Sequence, residues 1–156
     1  MLVAATLYDW LKFLHVLAAM IWVGGLVAVG VFAIQAVRSG ERDAIARLVG
    51  SLGVIGPFVF GPAMLTVLGL GIWLVVDSDA WDFGQTWIWL ALTLFAAAFL
   101  VGAVFQSRAA ISAQRAATAG DDGEAVRQLR RWAWGMLLIL LLLVVVTWDM
   151  VIKPGL

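Results

Sequence analysis

The sequence predicts an all-α polytopic membrane protein, with four transmembrane helices in an antiparallel up-down bundle and both termini outside. Three observations support this fold class. Hydrophobic residues make up 64% of the 156-residue chain and charged residues only 13%, about half the charged fraction of a soluble domain. Four apolar stretches reach the roughly 20 residues that a helix needs to cross a bilayer. Sixteen of the twenty charged residues lie in the polar segments between those stretches.

The four spans are predicted at residues 8–37, 49–76, 86–105 and 132–152, within a single domain of residues 1–156. Helices are expected because each one satisfies its own backbone groups in lipid, and the alternating pattern of barrel strands does not occur. The third span is expected to continue as helix to about residue 119, since alanine and arginine favour helix. The Gly-Asp-Asp-Gly run that follows predicts a turn before the fourth span.

The charges of the loops predict the topology. The first loop carries three arginines and the third loop five, which together are eight of the ten basic residues. The second loop has three aspartates and no basic residue. The positive-inside rule therefore places the first and third loops in the cytoplasm and both termini outside. With these orientations, the expected location is the bacterial inner membrane, with the lipid bilayer as the protein's environment.

Composition excludes several functional classes. The chain has no cysteine, so disulfides, thiolate metal sites and thiol redox chemistry are excluded. The net charge is zero, which gives no electrostatic basis for binding nucleic acid. The sequence also shows no pairing of nucleophile and base, no metal-ligand pair at helical spacing and no phosphate-binding loop.

Five ionisable residues fall at one end of the predicted bundle. Asp9, Lys12 and His15 enter the first span at the end where Asp149 and Lys153 leave the fourth. At 1.5 Å per residue, His15 lies about 9 Å deeper than Asp9. Ionisable groups inside membrane spans are costly, and each is therefore a candidate for a functional site.

Two interpretations of this cluster are open. In the first, Asp9, Lys12 and Lys153 reach the interface, Asp149 pairs with Lys153, and His15 is a hydrogen-bonded core histidine with Asp149 as a candidate partner. In the second, His15 is a ligand or proton carrier that faces a small outward cavity. Asp149 would then orient the imidazole ring.

Other residues add to these alternatives. Trp22 continues the helical stripe of Lys12 and His15, and its mid-span position predicts a core residue or a pocket wall. Met20 is a candidate thioether ligand for copper(I) beside His15, and Met64 and Met150 are further candidates. Methionine is also a common core filler.

The second span contains Pro57 and Pro62 among several glycines. Each proline removes a backbone donor, so the span is expected to bend. Two outcomes of that bend are open. Either it opens a cavity between the helices, or the span is slightly bent and tightly packed through its small residues.

The chain resembles a known family of small bacterial four-span membrane proteins without assigned activity. The resemblance rests on YDWLKFLHVLAAMIWVGG at the start, FGPAMLTVLGLGIWL in the second span and WDMVIKPGL at the end. More distantly, the chain is similar to copper-resistance D membrane proteins and to HemJ-type protoporphyrinogen oxidase. The HemJ-type resemblance implies a b-type haem with His15 as axial ligand. The third span lacks the histidine and lysine of that pattern, so a second ligand would come from a methionine, Lys153 or His15 of another subunit.

Three functional hypotheses follow. The first is a non-enzymatic helical bundle that acts as an accessory, scaffold or self-associating subunit, as a homo-oligomer or with a partner membrane subunit. The second is a haem-dependent membrane oxidoreductase that uses His15. The third is a small transporter or copper-handling protein with an outward polar vestibule.

Overall fold

The structure is a computed structural model that describes residues 6–155, and regular structure within this range is entirely helical. The predicted domain of residues 1–156 also includes residues 1–5 and Leu156, which lie outside the described residues. Two π-helical segments interrupt the second and third spans. The helices are α1 (Leu7–Ser39), α2 (Arg42–Ile55), α3 (Gly61–Val76), α4 (Thr86–Leu100), α5 (Ser107–Ala119) and α6 (Asp122–Ile152), with π segments at Gly56–Phe60 and Val101–Gln106.

Four continuous helices are long and apolar enough to cross a membrane, which confirms the all-helical class and the four predicted spans. The helices extend further than the apolar stretches do. The second begins at Arg42 and the fourth at Asp122, whereas the apolar stretches begin at residues 49 and 132. The difference arises because hydropathy marks only the part of a helix that lies in lipid, while helix geometry continues through polar turns. The four continuous helices are Leu7–Ser39, Arg42–Val76, Thr86–Ala119 and Asp122–Ile152.

Local side-chain chemistry fixes the helix ends. At the start of α1, the Thr6 hydroxyl accepts from the Asp9 backbone N–H, and the Asp9 carboxylate accepts from the Thr6 N–H at 3.0 Å. At the start of α6, the Asp121 carboxylate accepts from the Glu124 N–H at 2.9 Å. These bonds satisfy donors that have no partner inside the helix. The turn predicted at residues 120–123 is shorter in the structure, because α6 already begins at Asp122.

The first and second spans pack together with opposite chain directions. The His15 ring on α1 lies beside Gly71 of α3, and Gly25, further along α1, lies beside the Phe60 ring. Position 71 therefore pairs with the start of α1 and position 60 with its middle. Glycine at these points lets a bulky side chain approach the neighbouring backbone closely.

The third and fourth spans are paired in the same manner. Gly102 lies beside Ile139, and Gly135 lies beside the side chains of Phe105 and Gln106. Helix α6 also packs against α1, and it contributes Leu129 and other fully or mostly buried side chains to the main core cluster. The first and fourth spans therefore form the central pair of the molecule, with the second and third on either side.

The second and third spans separate along most of their length. Helix α2 packs against α5, whereas α3 and α4 hardly touch. A second, smaller core cluster rich in alanine joins α2, α5 and the start of α6. The seam between the second and third spans is consequently closed at the α2–α5 end and open beyond it. We call that gap the lateral seam.

Both π segments lie at the point where the seam begins to open. In the first, Pro57 has no backbone N–H to donate, and the Gly61 N–H donates to the Gly56 carbonyl across the wider turn. In the second, the Ser107 hydroxyl donates to the Gly102 carbonyl at 3.1 Å. The Gly102 carbonyl therefore accepts from both the backbone N–H and the hydroxyl of Ser107.

A substitution at Gly135 tests the packing of α6 on the second π segment. A Cβ at this position would lie 2.9 Å from the Phe105 ring and 3.0 Å from Gln106 Cγ. We expect Gly135→Ala to lower stability by about 1–3 kcal/mol, because overpacking forces neighbouring side chains to move. Gly24→Ala is the matched control, since a Cβ at Gly24 meets nothing within 4 Å. Denaturant unfolding in detergent measures both, and equal stability of the two variants would contradict the close packing.

Candidate functional site

A cavity of about 430 Å³ lies in the lateral seam and is bounded by both π segments. Its walls include Gly56, Pro57 and Phe60 from the first segment and Gly102, Ala103 and Gln106 from the second. Glycine and alanine leave space here that larger side chains would fill. Of the two outcomes predicted for the proline-containing span, the structure therefore has the cavity.

The lining of this cavity is aromatic and aliphatic and contains no charged side chain. Trp22 is 4% exposed and forms part of the wall, with its indole edge-on to Phe95 at 5.8 Å between ring centroids. Met64 and Trp132 also line it. Apolar walls with few polar groups are typical of sites for small hydrophobic ligands.

Gln106 is the buried polar residue of the cavity, with only 8% of its surface exposed. Its amide Nε2 donates to the Trp132 carbonyl at 3.3 Å. Its Oε1 accepts no hydrogen bond from the described residues. Sequence analysis missed Gln106, because it stands one residue beyond the predicted end of the third span and reads as part of the polar loop. The available signal was its place between an apolar run and Arg108.

His15 lies outside this cavity, on the face of α1 that packs against α3. A Cβ on Gly71 would be only 3.1 Å from His15 Cε1, so the ring rests directly against the α3 backbone. Its Nδ1 is buried and has no hydrogen-bond partner among the described residues. The sequence suggested that His15 faces a small outward cavity. The cavity between the π segments is a different one, because His15 does not line it.

Asp149 is completely buried near the C-terminal end of α6, and neither carboxylate oxygen has a partner within residues 6–155. The expected pairing with Lys153 is wrong. Lys153 adopts a left-handed backbone conformation, with φ of 49°, so the regular i, i+4 geometry of a helix ends before it. Its Nζ lies 4.0 Å from the centroid of the Trp81 ring and 5.7 Å from that of Trp87. The expected hydrogen bond between His15 and Asp149 is also not formed.

The other two ionisable residues at this end are exposed. Asp9 completes the cap of α1, and Lys12 Nζ lies 3.9 Å from its carboxylate. An exposed ion pair of this kind contributes little to stability. These positions agree with the first interpretation of the cluster, in which Asp9 and Lys12 reach the interface.

The candidate copper ligands are directed to different places. Met20 is 66% exposed, and five residues of helix set it about 140° around α1 from His15. Met64 lines the cavity, while Met150 follows Asp149 on α6. The described residues contain no group of three histidine, cysteine, aspartate or glutamate side chains that could hold a metal ion. A copper site built from His15 and Met20 is therefore not supported by their positions.

The surroundings of His15 do not fit a haem within one chain. The ring is pressed against α3, and the cavity that the π segments form contains no histidine. Lys153, the candidate second ligand, contacts Trp81 instead.

The chain matches a family model described as "Predicted integral membrane protein (DUF2269)" over residues 9–154. It belongs to that family. The match includes most of the first span, the other three spans, the cavity and the five ionisable residues Asp9, Lys12, His15, Asp149 and Lys153 of this DUF2269 chain. No curated protein and no solved structure matches the chain. The more distant resemblance to copper-resistance D and HemJ-type proteins stays a prediction.

Asp149 offers a test of whether a buried polar group is retained for function. Replacing a buried polar side chain that makes no hydrogen bond by an apolar one removes the cost of keeping that polar group away from water. We therefore expect Asp149→Leu to raise the melting temperature of this DUF2269 protein in detergent. Asp121→Leu is the control, because it removes the α6 cap and should lower stability by about 0.5–2 kcal/mol. Lower stability of Asp149→Leu would mean that the carboxylate has a stabilising partner.

An absorption spectrum tests the haem hypothesis. Given the packing of His15, we expect the protein purified in detergent to show no Soret band and no spectral change on addition of haemin. A Soret band that disappears in His15→Ala would contradict this expectation and would support a haem held by His15, including a haem shared between two subunits.

Proposed function

We propose that this DUF2269 protein is a non-catalytic accessory protein of the bacterial inner membrane that associates with a second copy of itself. The observation that carries the proposal is the exposure of the second span. Only 6% of its apolar window is buried, compared with 33% for the fourth span. The second span therefore has the most surface available for another helix.

The exposed face of α3 has the spacing of a helix-packing surface. Leu65, Gly69, Ile72 and Val76 follow one another at intervals of four, three and four residues, and all are exposed. A Cβ added at Gly69 would meet nothing within 4 Å. Since small residues let helix backbones approach closely in lipid, this stripe suits a second helix, with Gly69 at the crossing point.

A second copy is favoured over a soluble partner by the chemistry of this face. The stripe is apolar and lies within a span, so its partner must itself be in the membrane. It carries no charge that would select a partner of opposite charge. A twofold pairing of identical α3 faces needs only one complementary surface and is the commonest form of oligomer.

We also propose that both termini face away from the cytoplasm. The support is the distribution of arginines, which concentrates in the α1–α2 turn and around the α5–α6 turn. An activity reporter fused after residue 156 should function only outside the cytoplasm. Activity in the cytoplasm would contradict the proposed orientation.

Replacement of Gly69 tests the self-association. We expect wild-type protein at low density in liposomes to bleach in two steps when each chain carries one fluorophore. Gly69→Leu should shift most particles to one step, because the side chain separates the paired backbones. Gly24→Leu is the matched control on α1, where a Cβ also meets open space.

The outcomes separate the alternatives. Single-step bleaching of the wild type would overturn self-association, and co-purification of another membrane protein with such monomers would favour a larger complex instead. Two-step bleaching that persists in Gly69→Leu but not in Gly24→Leu would overturn the choice of the α3 face.

A further inference from the structure

We infer that the cavity in the lateral seam binds a membrane amphiphile, an apolar chain with a hydroxyl group that donates a hydrogen bond to Oε1 of Gln106. This ligand site is independent of the self-association proposed above. Its support is the size of the cavity, its opening between the second and third spans, and the free acceptor atom of Gln106.

The size and walls of the cavity define the apolar part of the ligand. A volume of about 430 Å³ falls within the roughly 300–1,000 Å³ of small-molecule sites. A transmembrane helix, about 10–12 Å across, is too wide to enter it. The walls contain no charged side chain, and water gains little in such surroundings. A flexible hydrocarbon chain fits this space and makes apolar contacts with its walls.

The opening shows where the ligand would come from. Pro57, Ala103 and Ser107 line the cavity and are also exposed on the apolar outer surface, between the second and third spans. Helices α3 and α4 hardly touch, so nothing in the chain closes the seam beyond this point. A molecule dissolved in the bilayer can therefore enter sideways without passing through water.

Gln106 defines the polar part of the ligand. Because Nε2 donates to the Trp132 carbonyl, the reverse assignment of the amide would place two acceptors 3.3 Å apart. Oε1 is thus the free atom, and it can only accept. The Ser107 hydroxyl, the other short polar group here, already donates to the Gly102 carbonyl. A ligand hydroxyl supplies the donor that this acceptor lacks among the described residues.

The position of Gln106 also orients the amphiphile. It lies two residues before Arg108, at the end of the apolar part of the third span and so close to the lipid headgroups. Trp22 and Met64, which also line the cavity, lie well inside their spans. A hydroxyl at the headgroup level with a chain that points toward the membrane centre is the orientation that an amphiphile already has in its own leaflet.

Photolabelling tests this assignment. The probes are a sixteen-carbon alcohol with a diazirine in the chain and its methyl ether, which has the same chain but no donor. With wild-type protein in nanodiscs, we expect the alcohol to label peptides that contain Phe60, Met64 or Trp132. The alcohol should exceed the ether by about three- to tenfold, the factor expected from one hydrogen bond.

Two variants and a control make the test specific. Gly56→Leu should fill the cavity and abolish this labelling, since the added side chain points into open space rather than into a neighbour. Gln106→Met keeps the side-chain length but removes the acceptor, so the alcohol and the ether should label equally. Gly24→Leu lies outside the cavity and should leave labelling unchanged. Circular dichroism and elution volume confirm that each variant is folded.

The contrary results are distinct. Labelling spread evenly over the apolar surface and insensitive to Gly56→Leu would overturn the ligand site. Equal labelling of wild-type protein by the alcohol and the ether within the cavity would overturn the role of Gln106. If Gln106→Met is misfolded, the comparison of the two probes on wild-type protein decides the second point alone.

Discussion

The core of a bilayer has no water to satisfy a backbone N–H or C=O, and this requirement determines where the chain can depart from an α-helix. All four spans are continuous helices, and the two departures are both π turns in which new acceptor–donor pairs form. Pro57 has no backbone N–H to donate, and it lies in the wider π turn of Gly56–Phe60, where the Gly61 N–H donates to the Gly56 carbonyl. At Gly102 the carbonyl accepts from the backbone N–H of Ser107 and also from its hydroxyl. The cavity lies against both of these places, because wider turns lined with glycine and alanine leave space between helices.

The same requirement explains why some features were predictable from the sequence. Hydropathy predicted four spans, since lipid demands long apolar helices. The cap of α6 lies in the Gly-Asp-Asp-Gly run that the sequence identified as a turn. The ends of helices in the polar segments were less predictable. Helix α2 begins at Arg42, because helix propensity rather than apolarity decides its start. The pairing of Gly102 with Ile139 depends on tertiary packing and has no signal in one sequence.

The candidate sites were also predictable only in part. Residue type alone identified His15 and Asp149 as unusual, and both have buried atoms without partners. Their partners could not be deduced, because the left-handed conformation of Lys153 removes it from the α6 face and places it over Trp81. Gln106 was overlooked for the opposite reason. An uncharged amide at the end of a span resembles a loop residue, and only the neighbouring Trp132 carbonyl shows that it is buried and half satisfied.

The inferred ligand site requires a seam between the second and third spans that is open to lipid beside the π segments. The chain has no cysteine, so single nitroxide labels can be attached at chosen positions without background. In liposomes, a label on Ala103→Cys should relax with lipid-soluble oxygen as strongly as one on Phe58→Cys, whose native side chain is 75% exposed within a span. A label on Ala98→Cys, which is 1% exposed, should be protected. Protection at position 103 equal to that at position 98 would contradict the open seam.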